Sequence, residues 1–162
     1  TSHVANVTSV AWSPNGKLIA SASEDGKVYI WDATTDTTQQ FFPHKAWVGS
    51  LAWSPDSTSI ATGDYNDDDS VRIWDISEGR NTQAFSGTSG NQVYTVAWSL
   101  DGNHIAGGYN LNEVKIWHFL TGKQVLTYTG HSAPIMSVQW SHKGKYVASS
   151  SFDKTVQLWT TS

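Results

Sequence analysis

The chain of 162 residues contains no cysteine. That excludes a disulfide framework and any thiolate metal site, and it assigns no cellular compartment. Lys and Arg total only ten against fourteen Asp and Glu, for a net charge of −4. So few cations argue against a nucleic-acid footprint. No apolar run approaches the roughly 20 residues that cross a bilayer as a helix, so no membrane partner is expected. No segment repeats its apolar residues with a 3.6-residue period, so essentially no helix is expected either. What the chain has in excess is tryptophan, nine residues in all.

Eight of these nine fall into two phases of one period. Trp12, Trp53, Trp98 and Trp140 close the phrases "VAW", "LAW", "VAW" and "VQW", at spacings of 41, 45 and 42 residues. Trp31, Trp74, Trp117 and Trp159 close "VYIW", "VRIW", "VKIW" and "VQLW", at spacings of 43, 43 and 42. Nine residues before each first-phase tryptophan stand His3, His44, Ser89 and His131. Self-similarity at such a period marks a repeat architecture. The repeats run approximately 3–43, 44–88, 89–130 and 131–162, together forming one domain over 1–162.

Each repeat reads as β-structure. "VTSVAWS" alternates with period two, "SPNG" is a turn, "KLIASAS" is a second strand, "SEDG" a tight turn and "KVYIWD" a third strand. A polar loop and a short fourth strand follow, as in "TQQFF". Four short antiparallel strands in about 42 residues make one propeller blade, so the expected class is all-β. The chain resembles the WD-repeat β-propellers. The residues that carry the resemblance are Gly130-His131, His3, His44, Trp31-Asp32, Trp74-Asp75 and the "SPDG"-like turns, and they cover the whole chain.

The resemblance implies a buried network in each blade, in which an Asp, a His, a hydroxyl and an indole N–H satisfy one another. Carried over by position, the sets are His3, Ser21, Asp25 and Trp31; His44, Thr62, Asp68 and Trp74; and His131, Ser149, Asp153 and Trp159. Repeat three departs from the pattern, with Ser89, Gly107 and Leu111 or Asn112 at the matching places. No such network is expected there, and the turn from Asn110 to Glu113 should be softer. A His, a Ser and an Asp together invite a catalytic reading. A set repeated three times is structural, whereas a catalytic triad is a single site beside a binding pocket. No enzyme activity, metal or cofactor is expected. The first-phase tryptophans are expected to be core residues packing blade on blade.

Trp47 belongs to neither phase. The resemblance places it, with Asn6, on the top face around the mouth of the central channel. Tyr94 and Met136 head the inner strands on the same side, and Glu24, Asp67 and Phe152 precede the turn aspartates. This mixed apolar and acidic face suits a protein or peptide partner. The alternative is a carbohydrate-binding propeller using Trp47 and Tyr94 as sugar platforms. The run "DYNDDDS" lacks the spacing, glycine and closing Glu of a calcium loop and reads as a solvated turn. Repeat four stops three residues after Trp159, so fifteen strands are expected, with the last blade lacking its outermost strand. Four blades also fall short of the usual ring. The readings are a piece of a longer propeller, two copies forming an eight-blade ring, or a sharply wedged four-blade closure.

Overall fold

A computed structural model describes residues 3–65, 70–87 and 90–161. These contain fifteen strands and no helix. Blade one comprises β1 (Val7–Trp12), β2 (Leu18–Ser23), β3 (Lys27–Asp32) and β4 (Thr37–Pro43). Blade two comprises β5 (Val48–Trp53), β6 (Ser59–Asp64), β7 (Ser70–Asp75) and β8 (Arg80–Ser86). Blade three comprises β9 (Val93–Trp98), β10 (His104–Tyr109), β11 (Val114–His118) and β12 (Gln124–Tyr128). Blade four comprises β13 (Ile135–Trp140), β14 (Tyr146–Ser151) and β15 (Val156–Thr160). Each blade is an antiparallel meander of four strands, the last of three.

The turns follow from their residues. In the first turn of blade two, Asp56 accepts from the Ser54 hydroxyl (2.6 Å) and the Thr58 N–H (3.0 Å). Asn15 and Asp101 do the same in blades one and three. The next position turns left-handed, at φ of 71°, 76° and 69° for Gly16, Gly102 and Gly144. Ser57 takes that conformation in blade two (φ 64°), and its hydroxyl accepts from the Asn15 N–H of blade one (3.1 Å). A side chain is tolerated there because it ties two blades together.

Period-two alternation gives each sheet two apolar faces, and adjacent blades bury them against each other. Ala20, Ala22, Val28 and Ile30 of blade one meet Val48, Leu51, Trp53 and Ile60 of blade two. The same positions recur between blades two and three and between three and four. The inner strands pack side by side, β1 on β5, β5 on β9 and β9 on β13. At every junction an aromatic residue of the outermost strand stacks on the third-strand tryptophan of the next blade. The pairs are Phe42 on Trp74 (4.9 Å, 13°), Phe85 on Trp117 (5.8 Å, 18°) and Tyr128 on Trp159 (4.5 Å, 5°).

One expectation fails at the end of the array. Trp53 and Trp98 are buried and Trp140 is partly covered, but Trp12 is 60% exposed. Val7 and Val10, on the same flank, are 57% and 66% exposed. The reason is positional. A first-phase tryptophan is buried by the preceding blade; the Trp53 and Trp140 indoles also bond that blade's backbone, at Ala11 O (3.1 Å) and Ala97 O (3.3 Å), whereas the Trp98 indole donates to Gly102 O of its own blade (3.2 Å). No described blade precedes Trp12. At the opposite end Val156 and Leu158, equivalents of the fully buried Val28 and Ile30, are exposed.

Candidate functional site

Three of the polar sets can be followed side chain by side chain. In blade four His131 Nδ1 meets Asp153 Oδ2 (2.7 Å), Nε2 meets Ser149 Oγ (2.8 Å), and the Trp159 indole donates to the same oxygen (3.2 Å). Blade one repeats this with His3, Asp25, Ser21 and Trp31 at 3.0, 2.8 and 2.8 Å. Both sets are self-consistent when Nδ1 donates to the carboxylate and the hydroxyl donates to Nε2. Asp153 is held well below the usual carboxylate range, first by the Thr155 hydroxyl and, after a counteracting desolvation, by His131. Asp25 is also lowered: desolvation opposes it, and the Val4 N–H and His3 outweigh that. These are saturated arrangements. Ser149 is buried, and its oxygen bonds both His131 and the Trp159 indole.

Blade two differs. His44 Nδ1 meets Asp64 Oδ2 (2.9 Å), which also takes Arg72 Nη1 (2.9 Å). Asp68, named from sequence, lies outside the described residues. The Trp74 indole donates to Thr62 Oγ1 (3.0 Å), but that hydroxyl turns to Arg72 O (3.4 Å), and the buried His44 Nε2 has no hydrogen-bond partner among the described residues. In blade three Ser89 also lies outside the described residues. Gly107 offers no hydroxyl, and a Cβ there would meet Val71 and Trp117 at 3.0 and 3.2 Å. A different polar cluster occupies the blade. Buried Asn91 donates to Glu113 Oε1 (2.8 Å), and Lys115 Nζ pairs with the same oxygen (3.1 Å) while lying over the Tyr109 ring. The spacing of the histidines gave no hint of it.

The side of the molecule bearing Trp47 has a plan of its own. Each inner strand opens with a β-bulge, where the register skips Thr8, Gly49, Tyr94 and Met136. A bulge re-aims side chains and is common beside functional sites. Each bulge is flanked by one conserved-geometry bond between loops: the N–H of Glu24, Tyr65, Asn110 and Phe152 donates to the carbonyl of Asn6, Trp47, Gln92 and Pro134, at 2.9–3.1 Å. This bond aligns Tyr65, not Asp67, with Glu24 and Phe152. Sequence counting back from the aspartates missed Tyr65, because the blade-two turn is longer. Asp67 lies outside the described residues.

These four pairs alternate in character. Blades one and three satisfy their own polar groups: Asn6 Nδ2 donates to Glu24 Oε2 (2.9 Å), and Asn110 Oδ1 accepts from the Gln92 N–H (2.9 Å). Blades two and four present rings. Trp47 is 54% exposed and Phe152 62%, with Met136 also exposed. The Tyr65 ring crosses above Gly49, where a Cβ would approach it to 2.7 Å, and lies against Tyr94 (4.9 Å, 42°). Burial first, then Tyr94 and Glu24, push the Tyr65 phenol up. Among the described residues no three His, Cys, Asp or Glu side chains group as a metal site.

Comparison with known proteins gives the same architecture. The model of a family described as the IFT122 first beta-propeller matches residues 1–162. Protein FIZZY-RELATED 1 of Arabidopsis thaliana is 27% identical over 161 residues, 97% of this chain and 34% of that protein. Cell division cycle 20.6, cofactor of APC complex, from the same plant, is 30% identical over 97% of this chain and 39% of its own length. Periodic tryptophan protein 2 homolog of Dictyostelium discoideum is 30% identical over 97% of this chain and 17% of its own length. The chain therefore spans well under half of each relative.

Proposed function

Because the chain belongs to the WD-repeat β-propeller family, we propose that it is a non-catalytic interaction scaffold that binds protein or peptide segments on the face carrying Trp47, Tyr94, Met136, Phe152, Glu24 and Asn6. The observation that supports this most directly is the pair of exposed rings, Trp47 of blade two and Phe152 of blade four, each beside a bulged inner strand on the same side of the molecule. Exposed Trp in a mixed polar rim is the composition of an interaction hot spot. One relative is named as a cofactor of the APC complex, and a role of that kind is the one proposed for this chain. The polar sets, Asp68 included, are scaffold residues that keep each blade rigid. Tight-binding segments recovered with the full-length protein test the reading. Trp47→Ala and Phe152→Asp should each weaken them about tenfold or more; unchanged affinities for both variants refute it. Binding to a glycan array in place of peptides favours the carbohydrate reading instead.

The two open flanks complete the proposal. Val7, Val10 and Trp12 at one end, and Val156 and Leu158 at the other, match the faces that blades bury against one another. Contiguous apolar surface of this kind is normally covered. The partial propeller is completed by further blades, either from the remainder of a longer chain or from a second copy. Light scattering at several concentrations separates the two. A monomer at every concentration excludes the second copy.

A further inference from the structure

We propose that Glu24, Tyr65 and Tyr94 form a subsite for the guanidinium of an arginine carried by the bound segment, an assignment that rests on the reading of this side as the partner-binding face. Three successive blades contribute one residue each. Glu24 follows β2, Tyr65 follows β6, and Tyr94 is the bulge residue of β9. Inner-strand packing of β1 on β5 and β5 on β9 brings the three blades together on this side.

The chemistry of the three groups selects a cation. Glu24 keeps one oxygen on Asn6, and among the described residues no Lys, Arg or His pairs with its carboxylate. An unpaired carboxylate beside aromatic faces attracts positive charge from two directions, by ion pairing and by the ring quadrupole. Burial contributes most to the raised Tyr65 phenol, and Glu24 adds to it as a negative charge within reach of the ring. The rings are held in place. Tyr65 is anchored by its N–H to Trp47 O (2.9 Å), and its ring rests over a glycine that admits no side chain. Arginine fits better than lysine, because a planar guanidinium stacks on an aromatic face while its fork still reaches a carboxylate. Exposed Trp47, bonded through its backbone to Tyr65, supplies the apolar contact for the rest of the segment.

N-acetyl-arginine amide titrated into the chain, followed by NMR of the tyrosine and tryptophan rings, tests this. The probe should shift the Tyr65 and Tyr94 resonances. The uncharged citrulline analogue should bind several-fold more weakly, and Glu24→Gln, which keeps the Asn6 bond, should weaken the arginine probe roughly fivefold. Equal binding of citrulline, unchanged binding to the E24Q protein, or no shift at tens of millimolar probe overturns the arginine subsite. The scaffold reading stands or falls separately, on whether W47A and F152D weaken recovered peptide segments.

Discussion

The imidazole–hydroxyl–indole relay can be measured by comparing the same position in two blades. Ser149 in blade four and Thr62 in blade two both accept from an indole N–H, but only Ser149 also bonds a histidine. Replacing Ser149 by Ala removes one oxygen and strands two buried groups, His131 Nε2 and Trp159 Nε1. Replacing Thr62 by Val preserves shape, strands the Trp74 indole and removes the long bond to Arg72 O, but among the described residues His44 Nε2 has no partner to lose. Each stranded buried group costs about 1–3 kcal/mol. Ser149→Ala should therefore cost about 3 kcal/mol, and Thr62→Val about half of that. For a chain of this length 1 kcal/mol moves Tm by roughly 2–4 °C, which puts the S149A protein roughly 6–12 °C below the parent. Urea and thermal unfolding followed by tryptophan fluorescence would show it. If S149A costs no more than T62V, the bond from imidazole to hydroxyl contributes nothing measurable and the account of these sets is wrong.

Two further outcomes follow from the burial and charge patterns. Trp53→Ala should cost about 3–5 kcal/mol as a filled blade junction empties, while Trp12→Ala, at a solvated position of the same phase, should stay within about 1 kcal/mol; equal costs in the isolated chain would contradict the positional explanation. Asp56 is lowered chiefly by the Ser54 hydroxyl, and Asp101 by Ser99 and Asn103 in spite of burial. Carboxylates with depressed values in the fold stabilise it fully above the unfolded value near 4, and that stability is lost as pH falls through the folded values. Urea midpoints should thus fall steadily below about pH 4, and Asp56→Asn should flatten that slope; a slope unchanged by D56N counts against the Ser54 contribution.

The period of the tryptophans was enough to read fifteen strands and four sheets, because each depends on spacing within one repeat; the sets around His3 and His131 came from the family resemblance. What escaped has a physical cause in each case. His44 meets Asp64, on the strand itself, because the longer blade-two turn breaks the count from Trp74 back to the acidic run. Tyr65 was invisible for the same reason, although the loop bond to Trp47 places it level with Glu24. Trp12 shows a different limit: whether a blade-facing indole is buried is decided by the neighbour, and its own repeat carries no trace of that. The Asn91–Glu113–Lys115 cluster replaces a lost motif with unrelated residues, so only the folded sheet reveals it.

The stacked rings at the blade junctions bear on how such a chain can be cut and rejoined. Phe42, Phe85 and Tyr128 each close one repeat, yet each makes its ring contact with the tryptophan of the next. The cohesive module is therefore offset from the written repeat. It begins at an outermost strand and runs through the three inner strands that follow. Excising residues from one such aromatic to the next preserves the joint, since Phe42 would then face Trp117 as Phe85 does now. By the same rule, any blade grafted ahead of Trp31 must end in an aromatic strand, or the splice will hold by its aliphatic contacts alone.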